Sequence, residues 1–426
     1  MRTSLLRAAS LVTAAAIPIA LVGCRTQDGS AQTHLTGPDL SDFVTQRGNK
    51  LWYKGKEYRA LGVNTINLHL SYARKWFHDG IYRRDGEDPR EMMLNGLDDA
   101  QKHGFRYVRF FAGPGYPKTM DLFYLKDKDA YWENMDAVVE ECRKRDLKLV
   151  PSFGVVSTFS GYHGEPAQAV LDPNSKGHKG SYGYIEEFVT RYRDDPTILM
   201  WEIQNELMLH ADVNMAGKGV NPGVFTEGKA PRAKKTIEDS LSYDQIVRIY
   251  KEMTAFIKSI DKNHLVTSGD SRVRPECTSR RETFPDFTYR TDTLDEWIAN
   301  NINSQPAPLD VYSLHMYGPY GVGGKGEVKQ MGCANNMELF EKTITAMHDS
   351  GRPVFIGEFG KNYEDGKDTD PQDVLDMMKM FDRSGVSLMC FWAWHFKWQK
   401  ATFNATSESQ PELARAFRAL SEKYGN

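Results

Sequence analysis

The apolar positions of this chain follow two periods that alternate along its length. Short β-rich runs, apolar on both faces, recur at Tyr58–Val63, Tyr107–Phe111, Lys148–Phe153, Ile198–Glu202, Leu265–Ser268, Val311–Leu314, Val354–Gly357 and Leu388–Trp392. Runs of that length predict buried strands. Between them lie amphipathic stretches: Tyr131–Arg145, Tyr184–Tyr192, Tyr243–Ile260, Met337–Asp349, Gln372–Arg383 and Glu412–Tyr424. In Tyr243–Ile260 the apolar Ile246, Ile249, Tyr250, Met253 and Ile257 recur at helical spacing. Eight strands alternating with helices predict an α/β fold, a (β/α)8 TIM barrel. A doubly wound sheet is the other architecture with this alternation, but it needs Gly-rich phosphate turns. The stretch Gly321-Val322-Gly323-Gly324-Lys325-Gly326 fits neither a P-loop nor a dinucleotide fingerprint. Ahead of the first barrel strand, Phe43–Gln46 and Lys50–Tyr53 around Arg47-Gly48-Asn49 predict a short hairpin that plugs the bottom of the barrel.

Composition narrows the partners. The 426 residues are 40% hydrophobic and 26% charged, as in ordinary globular proteins, with a formal net charge of −3. There is no basic block or stripe, which argues against a nucleic-acid partner, since phosphate binding demands clustered Lys and Arg. A neutral ligand suits this charge best. Aromatics make up 12% of the chain; most belong to the core by the usual burial ranking, and some are available as stacking surfaces.

The N-terminus reads as an export signal. Arg2 and Arg7 precede the short apolar stretch Leu11 to Val22, which closes on Leu21-Val22-Gly23-Cys24. This resembles a bacterial lipoprotein signal, which implies removal of residues 1–23 and lipidation of Cys24. Residues 24–41 are polar and without apolar period, which predicts a flexible tether to a membrane. No Pro/Ser-rich linker follows Ser41, so 42–426 is expected to be one catalytic-size domain, working as a monomer at the cell envelope outside the cytoplasm. Cys142 and Cys390 fall in helical and strand patterns and are expected to be buried free thiols. Cys277 and Cys333 lie in loop-like stretches where export permits a disulfide, and both pairing and free thiols stay open. No Cys or His cluster has zinc-ligand spacing, and no metal or cofactor is expected.

Chemistry is to be sought at the C-terminal strand ends, where barrel enzymes place it. The fourth strand runs out through Trp201-Glu202-Ile203-Gln204-Asn205-Glu206, and the seventh through Ile356-Gly357-Glu358-Phe359-Gly360. In a barrel these two strands face each other across the mouth. Two facing carboxyls suit glycoside hydrolysis: one donates a proton to the leaving oxygen and the other, ionised, attacks the anomeric carbon. Either acid alone is as readily a solvated strand end.

Together the two segments resemble the acid/base and nucleophile motifs of glycoside hydrolase family five, over nearly the whole chain from about Phe43. The resemblance implies the (β/α)8 fold, β-glycosidic hydrolysis with retention, no metal, and Glu206 as acid/base with Glu358 as nucleophile. It also implies a substrate-binding set. Arg109 matches the strand-two arginine, a fixed cation that keeps the nucleophile ionised. Asn205 matches the residue that bonds the sugar 2-hydroxyl. His315 and Tyr317, in Leu314-His315-Met316-Tyr317, match the pair that orients the two acids. Trp392, in Phe391-Trp392-Ala393-Trp394, matches the tryptophan under the sugar, whose ring face packs on C–H groups. Many cellulases of the family carry a histidine after strand three; here Leu149-Val150-Pro151-Ser152-Phe153-Gly154 has none. That departure, with the strand-four and strand-eight motifs, brings the chain closer to the β-mannanase branch. The expected activity is thus a retaining endo-β-1,4-glycanase on a neutral polysaccharide, foremost β-mannan. An endo-β-1,4-glucanase, an exo-β-glycosidase or a transglycosylase would use the same site, and a non-catalytic sugar-binding lipoprotein is the remote alternative. Three long connections, Asn64–Arg90 with His69, Tyr72, Trp76 and Phe77, then Leu209–Ser240 and Gly318–Asn336, are expected to shape the cleft.

Overall fold

The computed structural model describes residues 42–65, 68–69, 88–115, 120–220, 232–317, 325–362, 370–396 and 402–425. The expected signal, Cys24 and the tether lie outside the described residues, as do Tyr72, Trp76, Phe77 and the greater part of the Gly-rich stretch. The chain opens on a small antiparallel sheet of β1 (Thr45–Arg47), β2 (Lys50–Tyr53) and β3 (Lys56–Glu57), one strand more than the expected hairpin. Eight parallel strands follow: β4 (Ala60–Asn64), β5 (Tyr107–Phe111), β6 (Lys148–Ser152), β7 (Met200–Glu202), β8 (Leu265–Thr267), β9 (Tyr312–Tyr317), β10 (Val354–Gly360) and β11 (Leu388–Phe391). Their order is β8-β7-β6-β5-β4-β11-β10-β9. The two ends meet through a parallel bridge between Thr267 and Val311 and a bond from Asp310 N to Val266 O at 2.9 Å, which closes the barrel.

These strands are largely apolar because both faces are covered, inward by the barrel core and outward by helices. All seven residues of β10 are buried. Helices fill the outer ring: α1 (Pro89–Lys102), α2 (Lys128–Arg143), α3 (Lys176–Tyr192), α4 (Tyr243–Ile260), α5 (Leu294–Asn303), α6 (Asn336–Asp349), α7 (Gln372–Arg383) and α8 (Pro411–Lys423). In α4 the buried side chains include Ile246, Ile249, Tyr250, Met253 and Ile257, the set that the spacing predicts. A capping box between Ser242 and Gln245 starts that helix by satisfying backbone N–H groups that have no partner within it.

The small sheet closes the barrel floor as the sequence suggests. Val44, Leu51 and Tyr58 belong to one apolar cluster with the inward-facing Ala60, Tyr107, Val150, Met200, Leu265, Val311, Phe355 and Leu388. Phe43 meets the His264 ring edge-on, with centroids 4.9 Å apart. All four cysteines from Cys142 onward are free and buried, so Cys277 and Cys333 are not paired. Both residues belong to the apolar core, only 4% and 3% exposed, and burial pushes both thiols up, away from the reactive thiolate. His69 is no sugar platform: it is 1% exposed, with its ring edge-on to Tyr131 at 4.7 Å.

Candidate active site

Polar side chains break the apolar run at the C-terminal end of almost every barrel strand. Asn64 ends β4, Arg109 lies in β5, Glu202 ends β7 with Asn205 and Glu206 just beyond, His315 and Tyr317 belong to β9, Glu358 to β10, and Trp392 follows β11. The barrel converges them on one point.

Arg109 is the hub. It is 2% exposed, and each of its five N–H groups meets an acceptor. Nε and Nη2 clasp Glu202 at 2.6 and 2.7 Å; Nη1 donates to Glu358 Oε1 at 2.8 Å and to Asn64 Oδ1 at 2.9 Å; Nη2 also donates to Asn205 Oδ1 at 2.7 Å. No N–H is left over for a ligand. Burial alone would favour the neutral guanidine, but Glu202 and Glu358 reverse that and hold Arg109 firmly charged. Asn205 has its oxygen fixed in the same way, which leaves its NH2 group as the donor that a ligand can use.

Glu358 is 4% exposed. It accepts from Arg109 on Oε1 and from the Tyr317 hydroxyl on Oε2, and His315 Nδ1 lies 3.6 Å from Oε2. Glu206 is the more open of the two acids, its side chain 30% exposed. Its backbone takes a left-handed turn with φ 51°, and its N–H donates to Gly269 O at 2.9 Å. A non-glycine residue held there is strained, a frequent mark of functional positions. Its Oε1 meets His315 Nδ1 at 3.0 Å. Burial pushes the Glu206 carboxyl up, but the hydrogen bond and charge of His315, helped by Arg109 and Arg272, outweigh it and take it down to about 2.

One carboxylate oxygen of Glu206, one of Glu358 and a ring nitrogen of His315 lie within 4.8 Å of one another. A cation could find ligands in that set. However, Arg109 and Tyr317 already occupy both oxygens of Glu358, and the guanidinium charge faces the same spot, which disfavours a second cation. Beside the acids, Trp392 is 9% exposed and lies in a small apolar cluster with Ala393 and Phe396, against which Phe111, Tyr317 and Phe403 pack. Trp394 turns away into the core, fully buried against Phe105 and Phe417.

The sequence-derived site residues from Arg109 to Trp392 thus come together at one mouth. Two members escaped that reading, Asn64 and Glu202. Each is a polar residue ending a buried strand, and that was the available signal.

Comparison with known proteins agrees with this geometry. The family model for cellulase, glycosyl hydrolase family 5, matches residues 89–397. Mannan endo-1,4-beta-mannosidase 1 of Oryza sativa subsp. japonica is 25% identical over 398 residues, covering 87% of this chain and 79% of its own. Mannan endo-1,4-beta-mannosidase 8 of the same plant is 24% identical over 354 residues, covering 76% and 81%. Among solved structures, the endo-1,4-beta-mannanase of Rhizomucor miehei superposes with a TM-score of 0.60 at 16% identity, over 89% of this chain and 99% of that one, a likeness of fold. With the family model spanning most of the barrel, the chain belongs to glycosyl hydrolase family 5 and is a glycoside hydrolase.

Proposed function

We propose that the chain is a retaining endo-β-1,4-mannanase, with Glu206 as acid/base and Glu358 as nucleophile. The observation that carries the reading is the carboxylate pair itself, facing across the barrel mouth with oxygens under 4.8 Å apart. Retaining sites place their carboxyls about 5–5.5 Å apart, and inverting sites need roughly 6.5–9.5 Å to admit a water. Mannan as the polymer is supported by the mannan-acting relatives and by the absence of a histidine directly after β6, where Phe153-Gly154 stands.

In the first step a Glu358 oxygen bonds to the anomeric carbon. Glu206 gives its proton to the glycosidic oxygen as the C1–O bond breaks, and the leaving sugar departs as an alcohol. In the second, Glu206 takes a proton from water, the water oxygen bonds to C1, and the ester to Glu358 breaks. A bound sugar expels water and leaves Glu206 between the negative Glu358 and the His315 ring. Both the like charge and the lost solvent favour the protonated acid needed for the first step. Once Glu358 is esterified its charge is gone, and Glu206 is favoured as the base. Asn205 offers its NH2 to the 2-hydroxyl, and Trp392 lies under the ring.

Soluble mannan, glucomannan, xylan, mixed-linkage glucan and a cellulose derivative, read by reducing ends, test the substrate. Mannan and glucomannan should be cut first, with an early fall in viscosity, and β-configured products should appear first by NMR. Slow viscosity loss would favour an exo-acting enzyme instead. Glu358→Ala should lose at least about 10⁴-fold in kcat; near-normal hydrolysis of every polymer by that variant would end the reading.

We further propose that the enzyme works as a monomeric cell-envelope lipoprotein, held through Cys24 outside the cytoplasm. The signal-like stretch ending in Gly23-Cys24 supports this. Labelled palmitate should enter the wild type and not Cys24→Ala, and the variant should leave the membrane fraction.

A further inference from the structure

Glu358 follows an irregularity in its own strand. β10 pairs with β9 through Ile356–Leu314 and then Glu358–His315, so Gly357 has no opposite residue; the register against β11 slips at the same place, between Ile356 and Phe359. This is a β-bulge, which re-aims the side chain beside it. Glycine is required there, because a Cβ at Gly357 would lie 2.6 Å from His315 Nε2. The bulged carbonyl faces Asn64, whose Nδ2 donates to Gly357 O at 2.9 Å. The other end of the same amide accepts from Arg109 Nη1 at 2.9 Å, and that nitrogen also donates to Glu358 Oε1 at 2.8 Å. Asn64 is 1% exposed. One buried amide therefore fixes both the backbone just before the nucleophile and the cation beside it.

We propose that Asn64 is a positioning residue for the displacement at the anomeric carbon: it sets the aim of Glu358 by pinning the bulge carbonyl of Gly357 and one arm of Arg109. The inference rests on the reading of Glu358 as nucleophile. Asn64 is buried behind the carboxylate, so its loss should act on rate and leave affinity nearly intact. Misplacing a reacting group by about 1 Å costs on the order of 10²-fold.

The test compares Asn64→Ala, Asn64→Ser and Asn64→Asp with the wild type in the full chain. Asn64→Asp is isosteric, so it keeps the packing, but it replaces the donor to Gly357 by an acceptor and draws Arg109 away from Glu358. Two quantities are measured on mannan, kcat and KM. A third is the rate at which 2-deoxy-2-fluoro-β-mannobiosyl fluoride, with the cellobiosyl analogue alongside, labels the Glu358 peptide by mass spectrometry. Folded variants should lose about 10–100-fold in kcat and the same factor in labelling rate, with KM within about threefold and Asn64→Asp slowest. Wild-type kcat and labelling in a folded variant overturn the inference, as does a loss that falls entirely in KM. Failure of the nucleophile reading looks different: Glu358→Ala would still hydrolyse mannan, and the probe would mark another residue of the wild type.

Discussion

Glu206 and His315 meet at 3.0 Å, and the ring is the largest of the influences that pull the carboxyl down. Removing the ring leaves burial, which works the other way, opposed by the charges of Arg109 and Arg272. In His315→Ala the Glu206 carboxyl therefore rises, and its protonated form persists to higher pH. A retaining enzyme needs that form for the first step, so the basic limb of the kcat/KM profile should move to higher pH. The rate at the optimum should fall by about 10²-fold as the acid loses its orientation. A basic limb that stays in place, or moves to lower pH, contradicts the pairing. At this scale the sequence was readable where a motif carried the residue, as with Asn205-Glu206 and Gly357-Glu358. Asn64 and Glu202 act through contacts to Arg109 from strands far away in the chain, with sequence separations that no local pattern encodes.

The elements that carry these residues depend on close backbone approaches. After β8 the chain turns at Gly269 with φ +81°, and a Cβ there would lie 2.3 Å from Gln204 O and 2.6 Å from the Glu202 carboxyl carbon. Gly269→Ala should destabilise the fold by about 2–4 kcal/mol and lower kcat too, since Glu202 is pushed off Arg109. Chemical denaturation and initial rates check both, and an unchanged denaturation midpoint would show that the turn has room to give. The strands were legible because apolar runs buried on both faces have few other readings. Helices α4 and α7 match their expected spans from end to end, both being strongly two-faced. Helices α1 and α5 were not foreseen. The first carries Gly96 and many charges along Pro89–Lys102, and the second is short and buries Asn300 and Asn301 where a periodic pattern would place apolar groups. The register slip at Gly357 leaves no mark on the hydrophobic pattern, because every residue of β10 is buried on either side of it.

Over the whole molecule the floor and the mouth of the barrel carry separate duties. Leu51 is fully buried in the floor cluster, at the end opposite the carboxylates. Leu51→Ala should cost about 2–4 kcal/mol of stability while leaving kcat at moderate temperature near the wild type. A large drop in kcat with the fold intact would mean that the two ends are coupled. At the mouth the situation is reversed, because Glu358, Glu202, Asn64 and Asn205 all draw on one guanidinium that has no donor in reserve. Losing any one of these acceptors strands a buried N–H and unsettles the rest, so their mutational costs cannot simply add. For a descendant of this enzyme, single changes within the set all lead downhill, and a new arrangement is reached only by several at once. Diversification toward other sugars is thereby channelled into residues outside this set, while the machinery that breaks the bond is inherited as one indivisible unit.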